Sequence, residues 1–173
     1  NPDGVPEPIA PVLGDSSRNL SLGIEYEMLN IEGQGFGSVG ERLRARAFMS
    51  NRAWGSDFDF AQGYFSANWT TLFGGGWKFL ARGELGYSDA EVSELTVVVE
   101  GEPLTVSLTQ LPNLYRFKAG GSTSVRGYGF EALSDNNIGS NNIVTASVEL
   151  ERRLFEDWSV AAFFDAGNAF NDW

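Results

Sequence analysis

Two side chains that many enzymes use for chemistry, histidine and cysteine, are missing from this sequence. Its 173 residues include neither His nor Cys. A Ser-His-Asp triad, an HExxH zinc site and a thiolate nucleophile are therefore excluded within this chain. The 12 basic and 23 acidic side chains give a net charge of −11, which disfavours binding to nucleic acid. Most familiar enzyme mechanisms are therefore disfavoured, but a mechanism based on carboxylates stays open.

The most unusual stretch is rich in glycine and contains one arginine. Its notable positions are Gly120, Gly121, Val125, Arg126, Gly127 and Tyr128. Paired glycines allow positive φ angles and close backbone packing. Taken alone, the stretch is typical of an exposed turn with a solvated arginine. A phosphate-binding loop is disfavoured, because the GxGxxG or GxxxxGK spacing before a helix is absent.

The elements around this stretch are predicted to be β-strands, because apolar and polar residues alternate. Six strands are predicted, at Leu20–Leu29, Glu41–Met49, Asp57–Leu72, Trp77–Tyr87, Ile143–Glu151 and Trp158–Gly167. The alternation changes phase near Gly63, which predicts a bulge in the third strand. Residues 1–16 contain four prolines and are predicted to be irregular. Residues 17–173 then form one unit, with a long loop at 88–142.

The strand pattern favours a membrane barrel. Trp77–Tyr87 has an apolar face that begins with Trp and ends with Tyr. At about 3.3 Å per residue and a tilt of about 45°, this strand rises roughly 23 Å, close to the ~25 Å apolar band of outer-membrane barrels. The opposite faces carry mid-strand charges that suit a wet lumen, at Glu25, Arg44, Arg82, Glu84, Glu149 and Asp165.

The connections agree with this interpretation. The predicted turns at 72–76 and 155–157 are short and lie at one end of the sheet, whereas the segment at 88–142 lies at the other end. Membrane barrels have this asymmetry. Within the long segment, Val92–Val99 and Leu104–Leu111 are predicted to form an accessory hairpin joined by residues 100–103.

A sharper interpretation of Arg126 follows from the strands. Glu149 and Asp165 lie on the polar faces of the last two strands. If the loop folds back into the lumen, Arg126 can pair with one or both, because a buried guanidinium requires a carboxylate partner. Such a contact would pin the loop to the barrel wall.

At this point the sequence resembles a known family. Residues 117–133, which include AGGSTSVRGYGFEAL, resemble the conserved loop motif of the BamA/TamA superfamily of outer-membrane assembly barrels, also described as the bacterial surface antigen family. Residues 145–170 resemble the two strands that follow that loop. The resemblance implies an all-β, antiparallel transmembrane barrel, of which this chain holds about six of sixteen strands. It also implies a lumen-entering loop, with Arg126 on Glu149 and Asp165.

The same resemblance implies a function without enzymatic chemistry, cofactor or metal. The family inserts or translocates outer-membrane proteins or autotransporters in the bacterial outer membrane. The implied partners are the lipid bilayer with lipopolysaccharide, unfolded substrate proteins and an inner-membrane-anchored periplasmic partner similar to TamB. Tyr128 is closer to the TamA branch than to BamA, which tends to have Phe there.

Three alternatives stay open at the level of sequence. A transporter barrel of the two-partner secretion type carries a similar loop motif. A soluble or surface-anchored β-sandwich that acts as a binding module would also alternate apolar and polar residues. A membrane-barrel lipid hydrolase would need a mechanism based on carboxylates, which the lack of His disfavours.

Overall fold

The molecule is built from β-strands, as the alternation predicts. The computed structural model describes residues 18–99, 102–134, 138–156 and 158–171. The strands are β1 Ser21–Glu32, β2 Val39–Ser50, β3 Phe60–Phe73, β4 Trp77–Asp89, β5 Val92–Val99, β6 Glu102–Thr109, β7 Asn142–Phe155 and β8 Trp158–Phe170. The predicted irregular segment 1–16 lies outside the described residues.

Helical structure in the described part of the chain is limited to three short 3-10 turns. They are Gly35–Gly37, Arg52–Trp54 and Asn113–Tyr115. No helix among the residues described is long and apolar enough to cross a membrane.

Six strands form one open antiparallel sheet in the order β1-β2-β3-β4-β7-β8. These are the six predicted strands, which are confirmed with ends that differ by a few residues. The β5–β6 hairpin forms a separate two-stranded sheet. It is inserted between β4 and β7, which pair directly from Trp77 opposite Arg152 to Tyr87 opposite Asn142. The long segment therefore leaves the main sheet uninterrupted.

The two faces of the sheet differ in polarity. Successive side chains of a strand point to opposite faces, and the apolar set lies on the outer face. Ile24 is 74% exposed and Phe164 is 69% exposed. In the part of the chain that the structure describes, these apolar side chains are exposed rather than packed on a second sheet, which is not the arrangement of a β-sandwich. An exposed apolar face of this kind suits contact with lipid.

The third strand has no bulge at Gly63, so that prediction is wrong. The pairing of β2 with β3 is unbroken from Gly40 opposite Thr70 to Ser50 opposite Phe60. The apparent change of phase arises because β3 carries aromatic side chains on both faces. Phe60 and Tyr64 lie on the inner face, where residues of the long loop cover them. The register irregularity of the main sheet lies between Arg153 and Phe155.

The hairpin is longer than predicted at its tip. Val99 pairs with Glu102 and Val98 pairs with Pro103. Two of the four residues predicted to form the connection, Glu102 and Pro103, therefore belong to β6. The remaining predicted connecting residues, 100 and 101, lie outside the described residues. The strand β6 ends at Thr109, two residues earlier than predicted.

The apolar core lies between the inner face of the sheet and the loop that follows β6. One cluster joins Phe117 and Ala119 of the loop to Ile143 and Ala169 of the wall. A second cluster joins Leu111 to Phe58 and Phe60. The loop therefore packs on the inner face rather than extending away from the sheet, and this packing positions the site.

Candidate functional site

The loop is anchored where it leaves the hairpin. The ring of Tyr115 packs against Phe60 and Phe48, with ring centroids 4.8 and 5.5 Å away. Gln62 of β3 donates a hydrogen bond from Nε2 to the carbonyl oxygen of Tyr115 at 2.7 Å. Phe117 then stacks on Tyr64 with centroids 5.9 Å apart. Aromatic side chains on the inner face of β3 thus hold the first residues of the loop against the sheet.

Backbone pairing closes the base of the loop. Phe117 and Ser140 exchange hydrogen bonds at 2.9 and 2.8 Å, and Ala119 and Leu133 exchange two at 2.9 Å. Backbone groups that are paired in this way are satisfied without water. The segment between them is thereby presented to the inner wall as one turn.

The VRGY loop, defined here as residues 120–128, depends on glycine for its shape. Gly120, Gly121 and Gly127 have φ angles of 106°, 94° and 100°. These values lie in the region that side chains of L-residues rarely adopt. At Gly120 there is also no space, because an added Cβ would lie 2.5 Å from the carbonyl oxygen of Gly129. Glycine is required there for conformation and for close packing.

Arg126 reaches the wall with both its backbone and its side chain. Its backbone N–H donates to Oδ2 of Asp165 at 2.9 Å. Its guanidinium donates from Nε to the same Oδ2 at 2.8 Å and from Nη2 to Oδ1 at 2.9 Å. Nη1 donates to Glu149, and Nη2 also donates to Oγ of Ser147 at 3.1 Å. The two-pronged contact on Asp165 is the bidentate geometry that a guanidinium favours.

Two residues that sequence reasoning missed complete the contact. The hydroxyl of Ser147 donates to Oδ1 of Asp165 at 2.6 Å. The guanidinium carbon of Arg126 lies 3.7 Å from the ring centroid of Phe163, which is a close cation–π contact. We call Ser147, Glu149, Phe163 and Asp165 the wall cluster.

The register of β7 and β8 builds the wall cluster. Ser147 is opposite Asp165, and Glu149 is opposite Phe163. These are two successive inward-facing rungs of the same ladder, so all four side chains share one face. Their i, i+2 spacing within each strand was the sequence signal that could have identified Ser147 and Phe163.

The members of the wall cluster differ in burial. The side chain of Asp165 is 2% exposed, whereas those of Arg126 and Glu149 are each 21% exposed. Hydrogen bonds to Asp165, aided by the single one to Glu149, raise the pKa of the Arg126 guanidinium above its ordinary value although burial acts in the opposite direction. The loop therefore presents a permanent positive charge to a nearly buried carboxylate.

The other predicted loop residues lie at different depths. Val125 is buried beside Arg126, whereas the side chain of Tyr128 is 58% exposed. Tyr128 therefore lies away from the buried contact. The aromatic residue of the motif has no packing role comparable with that of Phe163.

The rest of the inner wall is a charged ladder. Arg42 pairs with Glu27 at 2.6 Å, and Arg44 pairs with Glu25 and Glu27, each at 3.2 Å. Glu84 accepts hydrogen bonds from Tyr64 at 2.7 Å and from Thr145 at 3.0 Å. All six charges that were predicted to face the lumen lie on this face, as the strand registers require. In the ranges described, no three acidic side chains are grouped as metal ligands would be.

The fold and this site define a class of protein, the antiparallel β-barrel with an arginine loop held on its inner wall, of which this open sheet is a part. The family model of the Omp85 superfamily domain matches residues 14–173. The chain belongs to the Omp85 superfamily, so the membership predicted from sequence is confirmed.

A solved structure shows the same fold. It is the crystal structure of BamA from Haemophilus ducreyi lacking POTRA domains 1–3. The match has a TM-score of 0.64 at 19% sequence identity and covers 87% of this chain. The chain spans about 30% of that structure. The predicted fold class, a partial antiparallel barrel, is confirmed, whereas assignment to the TamA branch stays a prediction.

Proposed function

We propose that this chain is part of a bacterial outer-membrane β-barrel that assembles or translocates outer-membrane proteins or autotransporters. Membership of the Omp85 superfamily and the fold shared with BamA support this proposal. The apolar outer face suits the hydrocarbon of a bilayer, and the charged inner face suits a wet lumen. The barrel acts through shape and hydrogen bonding, without bond-making chemistry.

Within this function the VRGY loop acts as a brace on the inner wall. The observation that carries this role is the set of five hydrogen bonds from Arg126 to Asp165, Glu149 and Ser147. They join a loop to two strands that are adjacent in the sheet but distant from the loop in sequence. A barrel that must open for a substrate elsewhere needs part of its wall to stay fixed, and the loop contact would supply that rigidity.

The proposed partners follow from the family resemblance. They are lipid and lipopolysaccharide on the outer face, unfolded outer-membrane proteins or autotransporters as substrates, and a TamB-like periplasmic partner anchored in the inner membrane. Tyr128 supports the TamA branch within the superfamily. Insertion assays with an autotransporter and with a general barrel substrate, run in parallel, would separate the two branches by their substrate preference.

The brace is tested with Arg126→Ala in the full-length protein. We expect slower insertion of a substrate barrel into vesicles and a lower temperature for the loss of heat-modifiable mobility. Arg126→Lys should restore part of the loss, because lysine keeps the charge without the bidentate geometry. Arg52→Ala is the matched control, since Arg52 forms an exposed pair with Asp59 away from the wall cluster. If Arg126→Ala leaves both the rate of insertion and the stability of the barrel at the level of this control, the proposed bracing role of the loop is wrong.

A further inference from the structure

A second polar site lies on the inner wall beside the wall cluster. It is a cavity of about 350 Å³ between the sheet and the tip of the VRGY loop. Strands β2, β3, β4 and β7 form its floor, and loop residues Thr123 and Ser124 form its roof. The residues that matter for its chemistry are Arg42, Arg44, Arg82, Glu84, Ser124 and Thr145.

Arg82 is the cation in this cavity that lacks a counter-charge. It lies on the inner face of β4, opposite Asn68 on one side and Ser147 on the other. Its two arginine neighbours in the lining are paired with Glu27. Across the described ranges, no hydrogen bond or ion pair is formed by Arg82. Arg82 is half-buried, and its five N–H donors are available to an acceptor that enters the cavity.

The carboxylate that lines the same cavity, Glu84, forms no ion pair with Arg82. Glu84 lies two residues further along the same strand and face. Its Oε1 accepts from the hydroxyl of Tyr64 and its Oε2 accepts from the hydroxyl of Thr145. Both oxygens are therefore engaged by neutral donors, and neither lies within ion-pair distance of Arg82.

A second polar group without a partner belongs to Ser124, a loop residue that lines the same cavity. The hydroxyl oxygen of Ser124 is buried and has no hydrogen-bond partner in the part of the chain that the structure describes. Buried hydroxyls are normally bonded, so an unpaired one indicates a missing partner. Ser124 and Arg82 are both donors, and they line the cavity from opposite sides.

We propose that this cavity binds one oxyanion, a phosphate or a carboxylate, between Arg82 of the wall and Ser124 of the loop. The group accepts from the guanidinium of Arg82 and from the Ser124 hydroxyl, and it supplies the charge that Glu84 does not. Its source is either a free anion or an acidic side chain from another segment of the full-length protein. Binding of this kind requires no translocation activity, so the proposal stands apart from the proposed function.

The free-anion source is tested with inorganic phosphate and the full-length protein folded in detergent. Calorimetric titration at constant ionic strength, with chloride as the competing anion, should give saturable binding with one site per barrel. The midpoint of heat-modifiable mobility should rise with phosphate. Arg82→Met should weaken binding at least tenfold and Ser124→Ala several-fold, while Arg52→Met, remote from the cavity, should bind like the unmodified protein.

If an acidic side chain of the full-length protein already occupies the cavity, the expected result is different. Phosphate then has no saturable effect, but Arg82→Met unfolds at a lower temperature than Arg52→Met in phosphate-free buffer. Ser124→Ala provides the same comparison if Arg82→Met does not fold, with Ser122→Ala on the exposed part of the loop as its control. The proposal is overturned if phosphate binds Arg82→Met as tightly as the unmodified protein. It is also overturned if phosphate has no effect and the cavity variants unfold like their controls.

Discussion

At the scale of residues, the contact of Arg126 is asymmetric. Asp165 accepts three hydrogen bonds from Arg126 and a fourth from Ser147, and it is almost fully buried. Glu149 accepts from one nitrogen of Arg126 and is more exposed. Because charge-assisted hydrogen bonds gain strength where water is excluded, Asp165 is the principal acceptor and Glu149 is the auxiliary one.

This asymmetry predicts different costs for the two neutralising variants. Asp165→Asn in the full-length barrel should lower the free energy of unfolding by about 2–4 kcal/mol, because removing one partner leaves a partly buried charge without its main counter-charge. Glu149→Gln should cost about 1 kcal/mol or less, since its site is more exposed and makes one contact. Denaturant titration followed by heat-modifiable mobility measures both. Equal costs would contradict the assignment of Asp165 as principal acceptor.

Sequence reasoning identified part of this site. Arg126, Glu149 and Asp165 were named because a guanidinium folded into a lumen requires carboxylates on the facing strands, and the structure places the three together. Ser147 and Phe163 were missed, because their i, i+2 spacing places them on the same face as Glu149 and Asp165 but does not show that they contact Arg126. Their contribution depends on the register between β7 and β8, which one sequence does not specify. The bracing role itself stays a prediction.

At the scale of elements, strand periodicity predicted the main sheet well. Five of the six strands were found because each keeps one face apolar over seven or more residues, and the third was found from its aromatic content despite its change of phase. The error at Gly63 has a physical cause, since Phe60 and Tyr64 face inward to meet the loop, and inward aromatics look like a change of phase. Contacts between a loop and a wall override the simple rule that apolar residues face the lipid. The connection at the tip of the hairpin was predicted to include Glu102 and Pro103, although both residues pair within β6.

The VRGY loop predicts a ranking of glycine variants. Of the three variants compared here, Gly120→Ala should displace the loop from the wall most. Its new Cβ would clash with the carbonyl oxygen of Gly129, and an alanine would be strained at this positive φ. Gly127→Ala should cost about 1–2 kcal/mol from backbone strain alone, since no atom lies within 4 Å of the added Cβ. Gly74→Ala in the β3–β4 turn has neither problem and is the control.

Hydrogen exchange at the amides of Ser124 and Arg126 measures this ranking. We expect protection to fall from the control through Gly127→Ala to Gly120→Ala. These amides donate to the carbonyl of Gly121 and to Asp165, so their exchange reports directly on seating of the loop. Protection in Gly120→Ala equal to that of the control would show that the loop shape does not depend on this glycine.

At the scale of the whole molecule, the sheet separates two environments. The outer face exposes aliphatic and aromatic side chains, and the inner face carries ion pairs and the packed loop. In a bilayer, an arginine at mid-depth on the lipid face costs about 2–4 kcal/mol, whereas one on the lumen face stays hydrated. The faces of the sheet should therefore respond very differently to the same substitution.

The last prediction uses this difference. Val148→Arg places a guanidinium on the outer face near the middle of β7, beside Ala81 and Phe164. In the full-length protein folded into vesicles, it should lower the free energy of unfolding by about 2–4 kcal/mol. Thr70→Arg places the same group on the inner face, opposite Leu80, and should cost less than about 1 kcal/mol because water reaches the lumen. Urea titrations measure the free energy of unfolding of both variants. Equal losses of this free energy would mean that the apolar face does not contact lipid.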